Sequence, residues 1–329
     1  MDGDTLRRAR AAAQLLHRPR RPLADAVHHL LAVQAQDLRQ APLALRARVP
    51  GLCASAVAKA RERGDLVRAW GPRGTIHLMN RADVGWLTAL LLPGHERTIH
   101  RRLAQEGVHD TDPLRLVERA LSGQGPLSKV ELGERLGGKA RGQGIVYLAF
   151  LGARHGMVVL GPDRDGRPTY VHSGDWIGPD ARPGPTPAGG WVAELAVRYL
   201  RAHAPAGPDD LAAWSGLPVT DCRAAFAAIG DRLRPVPDTP LWTLRSVPWG
   251  AVGTVLLPGF DEYLLGWRDR AFALEPRHAR VVIPGGGVIR PAVVVGGRVV
   301  GTWSPQTVLF ADAPGIEGER ADVERFLST

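Results

Sequence analysis

The stretch Leu66-Val67-Arg68-Ala69-Trp70-Gly71-Pro72-Arg73-Gly74-Thr75-Ile76-His77-Leu78-Met79 sets two apolar runs around a Gly-Pro-Arg-Gly turn, the pattern of a short β-hairpin. What precedes it decides the fold. Residues 5–16, 23–33 and 53–63 carry apolar side chains at helical spacing, and Gly64 closes the last, so all three read as helices. Helices followed by a hairpin make the element order of a winged helix. Further helices over residues 82–107 and 113–122 lead into a second round.

That round repeats the order. Ser128 stands three residues before Glu131, a capping box for a helix over 129–136, and an apolar helix over 144–155 follows. Met157-Val158-Val159-Leu160, the turn Pro162-Asp163-Arg164-Asp165-Gly166 and Thr169-Tyr170-Val171 supply a hairpin, and residues 178–190, rich in Pro and Gly, a linker. A third round has a helix over 191–202, a short helix over 209–214, the turn Ser215-Gly216-Leu217-Pro218 and a helix over 221–229 capped by Thr220. This is a helix-turn-helix, with 233–236 and 241–244 as its wing. Beyond it, Val281-Val282-Ile283 and residues 288–295 read as strands, and Gly296-Gly297 between two valine-rich runs is a two-residue hairpin turn. Gly285-Gly286-Gly287 lacks the strand, helix and Lys-Ser/Thr of a phosphate loop and reads as a plain connection. The expected class is α+β: three tandem winged-helix domains over 1–124 (with a helical extension), 125–185 and 190–250, then a β-rich C-terminal region over 251–329 with its hairpin.

Composition narrows the function classes. With 329 residues the chain can hold several cores, and no apolar window reaches the ~18 residues of a membrane span. Met1-Asp2-Gly3-Asp4 lacks the basic and apolar start of a secretory signal, so a cytoplasmic protein is expected. Cys53 and Cys222 stand alone and the histidines lack ligand spacing, so neither a metal nor a cofactor is expected. A net charge of +9 makes nucleic acid the first partner to consider. It needs discounting, because only Lys59, Lys129 and Lys139 are lysines and arginine-rich coding raises the charge without any selected groove.

One triplet stands out chemically. Gln34-Ala35-Gln36 ends the apolar helix that begins at Leu23, and Asp37 follows it. Residues two apart on a helix lie about 200° apart around its axis, so the two amides would diverge if the helix continued. Pro42 is expected to stop any helix soon after. Two readings stay open from the triplet alone. The amides can cap the helix end and bond nearby backbone, or the backbone opens near Ala35 and extended geometry aims both the same way. Two such amides can hold a water but cannot take its proton at neutral pH.

Four further segments make the pattern more specific: Arg73-Gly74-Thr75-Ile76-His77-Leu78; Leu211-Ala212-Ala213-Trp214-Ser215-Gly216-Leu217-Pro218; the run from Leu257-Pro258-Gly259-Phe260-Asp261-Glu262 to Arg270; and the run from Arg290-Pro291-Ala292 to Trp303. With Gln34-Ala35-Gln36 near the N-terminus, the chain resembles the AlkZ/AlkX family of tandem winged-helix DNA glycosylases over nearly its whole length. The resemblance implies a C-shaped arrangement around a DNA channel and a monofunctional, cofactor-free, monomeric enzyme that removes N7-alkylated purines from double-stranded DNA. Some family members also unhook interstrand crosslinks as self-resistance. It further implies Gln34 and Gln36 as the catalytic residues, in the Gln-apolar-Gln form of the family signature.

Arg73 in the first wing, with Arg290 and Arg298 flanking the Gly-Gly hairpin, are the candidate DNA contacts, the hairpin being able to reach into a groove. Asp37 is a possible base and His77 a possible channel residue, although His77 reads more simply as a strand residue inside the fold. Arg268, Asp269 and Arg270 read as a structural charge cluster. The competing function is a winged-helix regulator that binds DNA without chemistry, which has no need of paired amides.

Overall fold

The Leu66–Trp70 and Ile76–Asn80 runs pair antiparallel, from Leu66 opposite Asn80 to Trp70 opposite Ile76. The computed structural model describes residues 1–244 and 250–329; residues 245–249, at the end of the third expected block, lie outside the described residues. The chain divides into two compact units, Met1–Val57 with Pro187–Thr329, and Ala58–Thr186.

In the Ala58–Thr186 unit the two expected hairpins join. Strands pair in the order Ile76–Asn80, Leu66–Trp70, Val158–Leu160, Tyr170–His172, all antiparallel. Leu66–Trp70 is paired on both edges and buried along its whole length, so its one charge needs a partner. Arg68 Nη1 donates to Asp163 Oδ1 at 2.8 Å, and burial still pulls the guanidinium down to about 10 against the pull of Asp163. Helices Pro113–Leu121, Lys129–Arg135 and Gln143–Arg154 cover the sheet with Val117, Leu121, Leu132 and Leu148, and Trp70 stacks on Phe150 with ring centroids 5.4 Å apart. The capping box forms as expected, with Glu131 N–H donating to Ser128 Oγ and Ser128 N–H to Glu131 Oε2.

The other unit holds the third helix-turn-helix and the C-terminal sheet. Helices Gly190–His203, Pro208–Ser215 and Val219–Ala228 are followed by the pair Leu233–Pro235 and Trp242–Leu244. Gly216, at φ +82°, lets the chain turn between the last two helices, where a side chain would be strained. Strands then pair in the order Val308–Leu309, Arg298–Thr302, Ala292–Val295, Thr254–Leu257. Gly296 and Gly297 both take positive φ, which a tight two-residue hairpin requires. Leu256, Val293, Val300 and Val323 make the core between this sheet and the helix Ile316–Ser328.

Several expectations change. Pro42 does not stop a helix: it lies in the first turn of Gln40–Arg46, where its missing N–H would have had no partner in any case. Val281-Val282-Ile283 is not a strand, because Pro276 opens a 3₁₀ turn that runs into the helix Ala279–Val282; a short apolar run carries no period that separates the two. Thr220 lies inside Val219–Ala228, which is capped from Pro218. The β-rich C-terminal region ends in the helix Ile316–Ser328, whose amphipathic face covers the sheet. The Gly296-Gly297 tip does not project: Gly297 is buried, its carbonyl accepts Tyr263 Oη–H at 2.6 Å, and a Cβ there would lie 2.9 Å from Arg7 Cγ.

An aromatic cluster centres the first unit. His203 stacks on Tyr199 with centroids 4.3 Å apart and meets Trp267 edge-on, while Arg10 lies over Trp267 and Phe272. His203 Nδ1–H donates to the Tyr199 carbonyl, and burial pushes the imidazole from 6.5 down to about 3. Above pH 6.5 the ring is neutral in folded and unfolded chains and contributes no pH dependence. Below it the unfolded chain takes up a proton that the folded chain refuses, so stability falls by about 1.4 kcal/mol per pH unit until the folded ring titrates. His203→Phe should remove that slope from unfolding free energies measured in urea between about pH 6 and pH 4; an unchanged slope would mean that the folded ring is already charged.

Candidate active site

The segment that carries the two glutamines begins with a break in a helix. Ala26, Val27 and Leu30 bury one face of Leu23–Leu30, and periodicity would carry the helix on to Val33. Instead Leu31 takes φ 69° and ψ −61°, and Ala32 N–H donates to the Leu30 carbonyl at 2.9 Å. This is a γ-turn of the rare, strained hand, costing on the order of 1–3 kcal/mol. Leu31 has no exposed surface, so packing holds it there.

After that turn Val33–Gln34 is a two-residue strand, and the chain bends again from Gln36. Val33 and Ala35 are buried, Gln34 is half-buried and Gln36 exposed, which is the alternation of a strand. The opening thus comes four residues earlier than expected, at Leu31. Asp37 Oδ1 accepts the Arg39 N–H at 2.9 Å, closing a turn into Gln40–Arg46. Partial burial works against the Asp37 charge, but the Arg39 hydrogen bonds and guanidinium hold the carboxyl below its ordinary range.

A second segment of the same unit grips this one. The Thr254–Leu257 strand leads into Pro258-Gly259-Phe260, and Asp261 caps the short helix Glu262–Leu265 by accepting Tyr263 N–H. Gly259 N–H donates to Gln40 Oε1 at 2.8 Å, and Glu262 Oε1 accepts the Gln34 N–H at 3.0 Å. Arg48 donates to both Asp261 oxygens, at 2.7 and 2.8 Å, and to the Gln14 and Ala44 carbonyls. Gln40, Arg48, Asp261 and Glu262 were not singled out as site residues from sequence. Asp261 and Glu262 lie inside a quoted segment, but local pattern says nothing about which distant backbone they reach.

The other candidates are placed as follows. Arg73 sits half-buried at φ 58° in the turn Pro72–Gly74, and burial, aided by the Arg73 charge, depresses His77 to about 3. His77 is thus a neutral strand residue inside the fold, with Nδ1–H directed at the Thr75 carbonyl. Arg290 is exposed and donates to the Val281 carbonyl, and Arg298 is exposed beside Glu275 at 2.7 Å. Arg268, Asp269 and Arg270 each make a separate contact: Arg268 pairs with Asp209, Asp269 accepts Ala271 N–H, and Arg270 donates to the Leu264 carbonyl. Among the described residues no three His, Cys, Asp or Glu side chains gather as metal ligands, and no helix is long and apolar enough to cross a membrane.

Residues 27–326 match the model of the family described as DNA glycosylase AlkZ-like. The chain belongs to the AlkZ-like DNA glycosylase family. A curated relative from Streptomyces sahachiroi, the "Interstrand DNA cross-link repair glycosylase", is 29% identical over 332 aligned positions covering 91% of this chain and 86% of the relative. The solved structure of Streptomyces sahachiroi DNA glycosylase AlkZ superposes with a TM-score of 0.80 over 99% of this chain and 96% of that one. At 24% identity that likeness speaks for the α+β fold. Family membership makes this chain a DNA glycosylase and DNA its substrate; a regulator without chemistry is not what the family describes.

The buried ion pair has a measurable consequence. Arg48→Met strands the Asp261 carboxylate without its partner and should lower unfolding free energy in urea by about 3–5 kcal/mol. Arg39→Met, which removes only an exposed partner of Asp37, should leave it nearly unchanged.

Proposed function

We propose that this chain is a monofunctional glycosylase that hydrolyses the N-glycosidic bond of N7-alkylated purines in double-stranded DNA, with Gln34 and Gln36 holding the attacking water. The observation that carries this reading is the Gln34-Ala35-Gln36 segment, which leaves the helix at Leu31 instead of continuing it. Its middle residue is buried and its two amides occupy the less buried alternate positions, in a chain of this family.

The chemistry asked of such a pair is modest. Alkylation at N7 puts a positive charge on the purine and makes it a good leaving group, so the bond breaks toward a cationic sugar with little need for an acid. What remains is to orient a water and to place a carbonyl dipole where that charge develops, which amides can do. A thousandfold acceleration over spontaneous loss needs only about 4 kcal/mol. Asp37 stays ionised at neutral pH and is engaged by Arg39, so its part is a nearby negative charge.

In this reading residues 1–124, 125–185 and 190–250 act as three winged-helix blocks, and Arg73, Arg290 and Arg298 bind phosphates. The surface pair Arg298–Glu275 is worth little by itself, so Arg298 can exchange Glu275 for DNA. The name of the relative extends the reading to interstrand crosslinks, and self-resistance against alkylating natural products belongs to the same reading. A crosslinked base is tethered to both strands and cannot be swung fully out, so ordinary flipping is not assumed for it. The enzyme works as a cytoplasmic monomer on nucleoid DNA.

Duplex DNA carrying N7-methylguanine should accumulate abasic sites with the wild type, and Gln34→Ala with Gln36→Ala should slow this at least about a hundredfold. No release by the wild type on any N7-alkyl or bulky adduct, or full activity in the double variant, rejects the mechanism. For binding, Arg73→Ala, Arg290→Ala and Arg298→Ala should each reduce the slope of log affinity against log salt by about one. A variant with an unchanged slope removes that arginine from the interface.

A further inference from the structure

Glu262 is a buried carboxylate that the reaction described above does not use. Only 1% of it is exposed, and a charge at that depth persists only where its oxygens are engaged. Oε1 accepts the backbone N–H of Gln34 at 3.0 Å, and Oε2 accepts the Trp214 indole N–H at 3.1 Å. The residues before it are committed in the same direction: Gly259 N–H to Gln40 Oε1, and Asp261 to Arg48. Phe260 between them holds φ +58°, a strained conformation for a bulky residue that fixes how the turn is presented.

An apolar side chain of similar volume would fill this place but leave the Gln34 and Trp214 N–H groups without the acceptor they have here. What a carboxylate adds is direction. Gln34 follows the strained turn at Leu31 by only three residues, and its strand, Val33–Gln34, is two residues long. The Glu262 hydrogen bond anchors Gln34 itself, and a shift of about 1 Å at a reacting group can cost on the order of a hundredfold in rate.

We propose that Glu262 is a positioning residue of this glycosylase: by accepting the Gln34 N–H it fixes the angle at which the Gln34 amide presents its water to the sugar. The inference rests on Gln34 acting as proposed above. Trp214 holds the second oxygen, so the carboxylate cannot rotate away from the strand.

The test is single-turnover release of N7-methylguanine from duplex DNA, with rate and half-saturating enzyme concentration measured separately. Glu262→Gln offers one carbonyl to two N–H donors, and the release rate should fall about 10- to 100-fold while half-saturation stays within about twofold. Glu262→Asp keeps the charge but shortens the reach by a methylene, and should lose rate similarly. With Trp214→Phe the indole donor is gone and the amide carbonyl can turn to Gln34, so adding Glu262→Gln in that background should cost less than about threefold. In a Gln34→Ala background it should likewise cost less than about threefold. Full rate in Glu262→Gln or Glu262→Asp overturns the proposal, as does an equal loss in all backgrounds, which would assign the effect to charge or to general loosening of the fold. A wild type that releases no base overturns the reaction itself, and this inference with it, whereas an active wild type with an indifferent Glu262 overturns only the inference.

Discussion

Arg48 and Asp261 lie out of reach of solvent and face each other through two parallel hydrogen bonds, and the surroundings of the glutamine segment are organised around that contact. Neither group could be buried alone, because an unpaired charge in the interior costs far more than the fold can supply. Pairing them therefore fixes where the turn after Thr254–Leu257 sits against the stretch from Gln34 to Arg48. Once Asp261 is placed, Gly259 meets Gln40 and Glu262 meets Gln34. A single electrostatic requirement thus carries geometric information from the C-terminal sheet to the candidate catalytic strand.

The same economy applies to the arginines. Arg46 reaches Glu319 and Asp322, Arg68 reaches Asp163, and Arg10 lies over two aromatic rings beside Asp210. These buried arginines come matched with carboxylates, so they add little to the excess of +9. Glu319 shows the balance: burial would raise its pKa, yet Arg18 and Arg46 hold the carboxyl below its ordinary range. The surplus positive charge belongs to more exposed arginines, where DNA is the partner that the family requires. Composition alone could not separate these two populations, since both read as Arg.

Elements with local causes were legible. Ser128 and Glu131 form their capping box, Gly296-Gly297 turns a hairpin, and Leu66–Trp70 pairs with Ile76–Asn80, because each depends on neighbours within a few residues. The misreadings share a different cause. The strand expected at Val281-Val282-Ile283 is helical, and Pro42 sits comfortably in a first helical turn. In both cases the local pattern allowed two conformations and packing chose between them. The triplet Gln34-Ala35-Gln36 marks the candidate site in the sequence, but Glu262, Trp214 and Gln40 do not show themselves there, being partners across long stretches of chain.

By itself the sequence determined the α+β class, the recurrent helix and hairpin order, and the presence of two amides on which the proposed chemistry rests, all of which follow from period, turn residues and side-chain type. Tertiary structure alone decided that the Leu23–Leu30 helix stops at Leu31, that Ala35 faces inward, and that a carboxylate from residue 262 holds the backbone of residue 34. No glycine or proline stands at Leu31 to announce the break. A leucine adopts a strained left-handed turn only when surrounding packing compensates for it, and that packing comes from residues far away along the chain.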